Sequence, residues 1–212
     1  MEADQPVGLR ETKKAATRRA LSLAALQLAK EHGLDNVRVE AIAAAAGVSP
    51  RTYNNYFSSR EEAICALGID RAERLGAHLR DRPAAEPLAV AIRRGLAEFH
   101  AGAEPDREMI MLIMSTPTLA REFMKASAVG EQTFADAIAE RIGQPPGRLD
   151  VTVLAGAVYA ASRVATKHWL RPGRTRPFIE NLDEALRLLA PVADAVEAAS
   201  RETMTDAREN PC

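Results

Sequence analysis

Apolar residues recur along most of this chain at the three- and four-residue intervals of helices that bury one face. Leu21, Ala24, Ala25 and Leu28 form the first such stripe. The pattern starts a helix near Lys13 and ends it at Gly33, a residue that tolerates the positive φ of a helix terminus. Val39, Ile42, Ala43 and Ala46 repeat the spacing in a short second helix. After Gly47 and Val48, Ser49 is placed to cap a third helix and Pro50 suits its first position, where no N–H is needed. That helix carries Tyr53, Tyr56 and Phe57. Ser59 and Glu62 have the spacing of a capping box for a fourth helix over about 59–80, with Ile64, Leu67, Leu75 and Leu79 on its apolar face.

Pro83 to Pro87 breaks the helical pattern and reads as a connection between domains. Leu88, Ala91, Ile92, Leu96 and Phe99 resume it. A short helix holds Met109 to Met114, and Thr116-Pro117 opens a longer one that runs to Gly143. Gln144-Pro145-Pro146-Gly147 forms a turn. Two long helices follow, at about 149–170 and 177–198, with Pro191 placed to kink or end the second. The polar stretch from 201 to 212 reads as a disordered tail. No segment alternates as a strand does. The expected fold class is all-α with about nine helices: a three-helix domain over 10–60, then a bundle over 61–200.

Composition narrows the function. Alanine and leucine dominate the apolar residues, which favours helix. No run approaches about 18 apolar residues, so a membrane span is not expected. The first twenty residues hold Glu2, Asp4, Arg10, Lys13, Lys14, Arg18 and Arg19 with no apolar core, unlike a secretory signal. Cys65 and Cys212 stand far apart in no ligand spacing. These features point to the cytoplasm. The chain is nearly neutral, yet residues 10–60 carry nine Lys or Arg against four Asp or Glu. Residues 61–212 carry nineteen against twenty-three. A basic head on an acidic body suits a protein whose first domain meets a polyanion.

Val39 to Phe57 carries the chemistry. Two short helices meet at Gly47, and the second begins Ser49-Pro50-Arg51-Thr52, as in helix-turn-helix units whose second helix enters the major groove of DNA. Tyr53 and Phe57, four residues apart, can both face inward. Arg51, Thr52 and Asn55 then face outward, where an arginine can read guanine bidentately and a threonine methyl can touch thymine. Arg60 and the amides near Ser59 are placed for phosphate, and the Tyr56 hydroxyl is within reach of one. Arg18, Arg38 and Asn54 complete the expected DNA-facing set with Ser49 and Pro50.

At these residues the chain resembles a family, the TetR regulators. Thr17-Arg18, Ala24-Ala25, Leu28 and Gly33 look like that family's first helix. Ile42-Ala43, Ala46-Gly47-Val48-Ser49, Thr52-Tyr53, Tyr56-Phe57, Ser59, Arg60 and Glu61 are similar to the rest of its N-terminal signature. Ala29, Arg60, the Val37-Arg38 pair and Asn54 depart from it, the last replacing a usual aromatic phosphate contact. Met111 to Leu119, Glu131, and Val158 to Trp169 with Arg163 look similar to C-terminal domains of mycofactocin-type TetR regulators. The resemblance implies a homodimeric repressor that binds double-stranded operator DNA and is released by a small apolar or amphipathic effector, with long-chain acyl-CoA the first candidate. The pocket residues it suggests are Phe99, Met109, Ile113, Met114, Phe123, Met124, Phe134, Tyr159, Arg163 and Trp169.

Other readings stay open. The methionine cluster is equally at home in a plain core. Arg163, a charge within an apolar helix, requires an internal acid or an anionic ligand. His100 and Glu104 have i, i+4 spacing but no third metal ligand, so they read as surface residues. No nucleophile with its base, phosphate loop or dinucleotide fingerprint is present, which argues against an enzyme and against a bound cofactor. A helix-turn-helix activator or architectural protein without a ligand is the alternative. Ala155, Gly156, Ala157, Ala160 and Ala161 would permit close helix approach in a dimer of the last two long helices.

Overall fold

The computed structural model describes residues 6–101, 104–173 and 175–209. Every regular element among them is helical, as the three- and four-residue periodicity requires, and eleven α-helices are present. They are α1 (Pro6–His32), α2 (Val39–Ala45), α3 (Pro50–Asn54), α4 (Arg60–Cys65), α5 (Leu67–Arg80), α6 (Leu88–Phe99), α7 (Arg107–Ser115), α8 (Pro117–Arg141), α9 (Leu149–Trp169), α10 (Phe178–Arg187) and α11 (Ala190–Glu209). A 3-10 turn at Leu34–Asn36 joins α1 to α2.

The two helices beyond the expected nine come from interruptions. Ala66 divides the expected fourth helix into α4 and α5. The expected last helix breaks at Leu188 and Leu189. Pro191 explains the second break: it sits in the first turn of α11, where its missing N–H costs nothing, and it could not have continued α10. The last helix extends to Glu209, well into the stretch whose polarity suggested a disordered tail; residues 210–212 lie outside the described part.

The chain forms two compact units. The first comprises the residues up to Ile69 together with Glu108–Ala126. Its core gathers Leu21, Ala25 and Ala29 of α1, Ile42 and Ala43 of α2, Tyr53 and Phe57 around α3, and Ala63 and Ile64 of α4. Ile113, Leu119 and Ala126 are buried in the same cluster, with Met109, Leu112 and Phe123 packed against it. The buried Cys65 thiol points to the Leu119 carbonyl at 3.5 Å, and burial, with Glu122 and Glu61 nearby, pushes it up to about 12. A thiol so held is unreactive.

The second unit comprises Asp70–Arg107 and the chain from Ser127 onward. Leu79, Leu88, Ile92, Leu96, Phe134, Ile138, Val151, Leu154, Val158, Leu182 and Leu186 fill its interior. α10 packs on α9 and α6, and α11 on α6 and α9. The Pro83–Pro87 stretch lies inside this unit instead of joining domains. One guanidinium fastens it: Arg141 donates to the carbonyls of Arg82 at 3.0 Å, Pro83 at 2.6 Å and Glu86 at 2.9 Å. α8 meets its neighbours closely at Gly130, where a Cβ would stand 2.6 Å from the Tyr159 hydroxyl and 2.9 Å from the Ala72 Cβ.

Candidate nucleic-acid interface

The turn between α2 and α3 is fixed by backbone hydrogen bonds. Gly47 N–H donates to Ala44 O at 3.1 Å and Val48 N–H to Ala43 O at 2.9 Å, the two bonds of a Schellman ending. Gly47 holds φ +69°, which a side chain would strain. Ser49 caps α3 as expected: its hydroxyl accepts from Thr52 N–H at 3.1 Å and lies 2.9 Å from the Thr52 hydroxyl. Pro50 occupies the first helical position.

Two aromatic side chains set the rotation of α3. Tyr53 and Phe57 are buried with ring centroids 5.8 Å apart. The Tyr53 hydroxyl donates to Ser59 O at 2.8 Å, and burial beside Glu62 and Glu61 pushes its ionisation up to about 12, so it stays a donor. The opposite face is left to solvent. Arg51, Asn54 and Asn55 are exposed, while Thr52 and Tyr56 are half-buried. Arg38, preceding α2, is exposed as well. Arg18 of α1 lies with its guanidinium carbon 5.2 Å from the Phe57 ring centroid.

Ser59 caps α4 through Glu62 N–H at 3.0 Å, and the Glu62 carboxylate reaches back to Ser58, accepting from its N–H at 2.8 Å and its hydroxyl at 2.6 Å. The capping box is therefore present, shifted by one residue in its return arm. Arg60 does something the sequence did not suggest. Its guanidinium donates to Val37 O at 3.0 Å and pairs with Glu61 at 3.1 Å, which ties the start of α4 to the segment before α2.

The ten pocket candidates fall into separate groups. Met109, Ile113 and Phe123 belong to the first unit's core, and Met114 and Met124 are exposed. Phe99, Phe134, Tyr159, Arg163 and Trp169 lie in the second unit. Phe134 and Tyr159 contact each other with centroids 6.3 Å apart. Phe99 and Trp169 enter a chain of rings instead: Phe99 with His100 at 5.1 Å, His100 with Phe178 at 4.9 Å, and Phe178 with Trp169 at 5.7 Å. Arg163 is half-buried and makes no ion pair among the described residues.

This ring cluster was not legible beforehand. α6 ends at Phe99, so His100 and Glu104 do not share a helix. His100 packs among aromatics, and burial, with the Arg71 charge beside it, lowers its ionisation to about 4. Arg71 Nη2 donates to the neutral ring from 3.1 Å. Arg71 and Arg74 both lie over Phe99, at 4.6 and 5.5 Å from its centroid. Burial and the neighbouring Arg74 lower the ionisation of Arg71. Glu104 accepts from Phe178 N–H at 3.0 Å, and a hollow of about 250 Å³ lies beside these groups, lined by Ala97, His100, Ala101, Glu104, Pro105, Phe178 and Ile179. Among the described residues no three His, Cys, Asp or Glu side chains converge to hold a metal, and no helix is long and apolar enough to cross a membrane.

A capped short helix, turned across a Schellman ending and pinned by two buried rings so that its polar face is free, defines a helix-turn-helix DNA-binding head. Residues 23–64 match the family described as bacterial regulatory proteins, tetR family, and residues 86–194 match the MftR C-terminal domain. The chain belongs to the TetR family of transcriptional regulators.

Its relatives agree. The chain is 35% identical to the HTH-type transcriptional regulator TcmR of Streptomyces glaucescens over 147 residues, which cover 64% of this chain and 65% of that protein. It is 26% identical over 163 residues, 75% of this chain and 82% of the other, to the Mycobacterium tuberculosis protein named as a mycofactocin biosynthesis transcriptional regulator, MftR. Among solved structures, the TetR-family repressor FadR of Thermus thermophilus, crystallised with lauroyl-CoA, has a TM-score of 0.58 at 20% identity, covering 81% of this chain and 92% of that one. A TetR-family regulator from Streptomyces coelicolor has a TM-score of 0.54 at 20% identity, covering 91% and 86%. These two share the fold.

Proposed function

We propose that this chain acts in the cytoplasm as a homodimeric repressor, binding a pseudo-palindromic operator through α3 of each protomer and leaving it when an anionic amphipathic effector binds. The observation that carries the DNA half is the free face of α3. Arg51, Thr52 and Asn55 read base edges there; Ser49, Pro50, Asn54 and Tyr56 flank them, and Arg18 and Arg38 supply positive charge at the border. Arg60 acts at one remove, holding α4 and the α2 approach in register.

The dimer rests on an uncovered apolar stripe. Leu149, Val153, Ala157, Ala160 and Val164 succeed one another at helical intervals along α9, and Leu149 and Val164 are 80% and 63% exposed. Leu188, 78% exposed, and Val192 are further uncovered apolar residues at the junction of α10 and α11, both of which pack on α9. Ala155 is buried within the protomer and Gly156 faces Glu131, so close approach to a partner falls to the other face. Two such helices from each protomer make a four-helix interface.

The effector reading rests on the second unit. Arg71 and Arg74 crowd one phenyl ring and form no ion pair with an acid among the described residues. An anionic group would supply the missing counter-charge, and the rings of Phe99, Phe178 and Trp169 suit an apolar body. Long-chain acyl-CoA has both parts. A 100-fold loss of operator affinity requires about 2.7 kcal/mol tighter effector binding to free protein than to DNA-bound protein. The test is calorimetry of lauroyl-CoA with and without operator. Weaker binding in the presence of operator supports induction; equal affinity in both refutes it.

A further inference from the structure

From Arg10 to Ala16, α1 has no place in the protein's own core: every residue there is exposed, and full burial begins at Leu21. The exposed stretch is nevertheless ordered as helix and strongly basic, with Arg10, Lys13, Lys14, Arg18 and Arg19 against Glu11. Helix stability does not explain this composition. Arg10 and Lys14, and Lys14 and Arg18, repel each other at i, i+4.

The direction of the charge is informative. Arg10, Lys14, Arg18, Leu21 and Ala25 follow at intervals of four, four, three and four, so the basic stripe continues the line of the buried one. Leu21 and Ala25 face the helix-turn-helix core, and Arg18 already lies against Phe57, just past α3. At 1.5 Å per residue, Arg10 stands about 12 Å farther along the axis. The stripe therefore runs on from the contact with Phe57, on the face of α1 that packs against the helix-turn-helix core.

We propose that Arg10, Lys13 and Lys14 form a second DNA contact, a sequence-blind clamp on the phosphates flanking the bases that α3 reads. This rests on the DNA-binding reading above. A polyanion at the stripe turns mutual repulsion into attraction, and neutralising phosphates releases counterions. The clamp would raise affinity for operator and unrelated duplex alike, leaving discrimination to Arg51, Thr52 and Asn55.

The test is binding of the full chain to operator and scrambled duplex from 50 to 300 mM salt. Wild type is compared with the Arg10→Ala, Lys13→Ala, Lys14→Ala triple variant and with the charge-keeping Lys13→Arg, Lys14→Arg variant. The triple variant should bind both duplexes at least about tenfold more weakly at low salt. Its slope of log affinity against log salt should flatten by roughly 0.9 for each lost phosphate contact, several in a dimer. Its operator-to-scrambled ratio and helical content should match wild type, and the charge-keeping variant should retain the full slope. Equal slopes for wild type and triple variant would overturn the clamp while leaving operator binding intact. A wild type that binds neither duplex would instead overturn the DNA-binding reading. Loss of binding to anionic phospholipid vesicles with an unchanged DNA slope would assign the stripe to a membrane surface and overturn the clamp.

Discussion

The Tyr53 hydroxyl donates to the Ser59 carbonyl at 2.8 Å, joining the recognition helix to the first residue of the α4 cap. Tyr53→Phe keeps the ring and removes the donor, leaving the part-buried Ser59 carbonyl with the Ala63 N–H at 3.2 Å and without its shorter bond. The expected cost is about 1–2 kcal/mol of folding stability, read from urea denaturation. Operator affinity should fall with it, because the angle of α3 depends on the same contact. A variant as stable as wild type would show that ring packing alone sets that angle.

Arg51 projects from the free face of α3. Arg51→Ala should cost roughly 1–3 kcal/mol of operator binding and leave thermal stability unchanged. Binding to scrambled DNA should weaken much less. Titration of both duplexes distinguishes this from loss of a phosphate contact, which would weaken the two equally.

Gly130 has no room for a side chain between Tyr159 and Ala72. Gly130→Ala should destabilise the protein by about 1–3 kcal/mol. Adding Tyr159→Phe removes the nearer obstacle and should recover part of the loss, though not the clash with Ala72. Strictly additive effects in the double-mutant cycle would contradict the contact.

His100 is held neutral, its ionisation lowered to about 4 by burial and then by Arg71. The unfolded chain takes up a proton near pH 6.5, whereas the folded one does so only near 4, so acidification favours unfolding across that interval. Stability should be flat above pH 6.5 and fall between there and pH 4. Allowing for partial exposure, His100 accounts for about 1–2 kcal/mol of this fall. His100→Gln should remove that share, as seen in melting temperatures across the same range.

Val164 stands outward on α9. Val164→Asp places a charge in the apolar stripe of the proposed dimer interface, where no partner awaits it. Sedimentation should show monomers with unchanged helical content, and operator binding should weaken by at least about tenfold. A variant that remains dimeric would move the interface elsewhere.

Much of this protein follows from local rules that a sequence displays openly. Helical periodicity marks where each helix buries a face, and Gly47, Ser49, Pro50, Ser59 and Glu62 each act within four residues of themselves. The helix-turn-helix could therefore be read residue by residue, down to the Ser49 cap and the inward pair Tyr53 and Phe57. Pro191 also kept its local meaning, although it began a helix instead of ending one.

Contacts between distant segments were decided only in three dimensions, because spacing carries no information about which faces meet. Periodicity showed that Met109, Ile113 and Phe123 are apolar and helical, but only tertiary packing placed them in the core around α1 to α4. Arg60 looked free for phosphate until folding brought the Val37 carbonyl to its guanidinium. His100 and Glu104 lost their shared helix where α6 ends, and Phe178, some eighty residues later, met both, its ring against His100 and its N–H against Glu104.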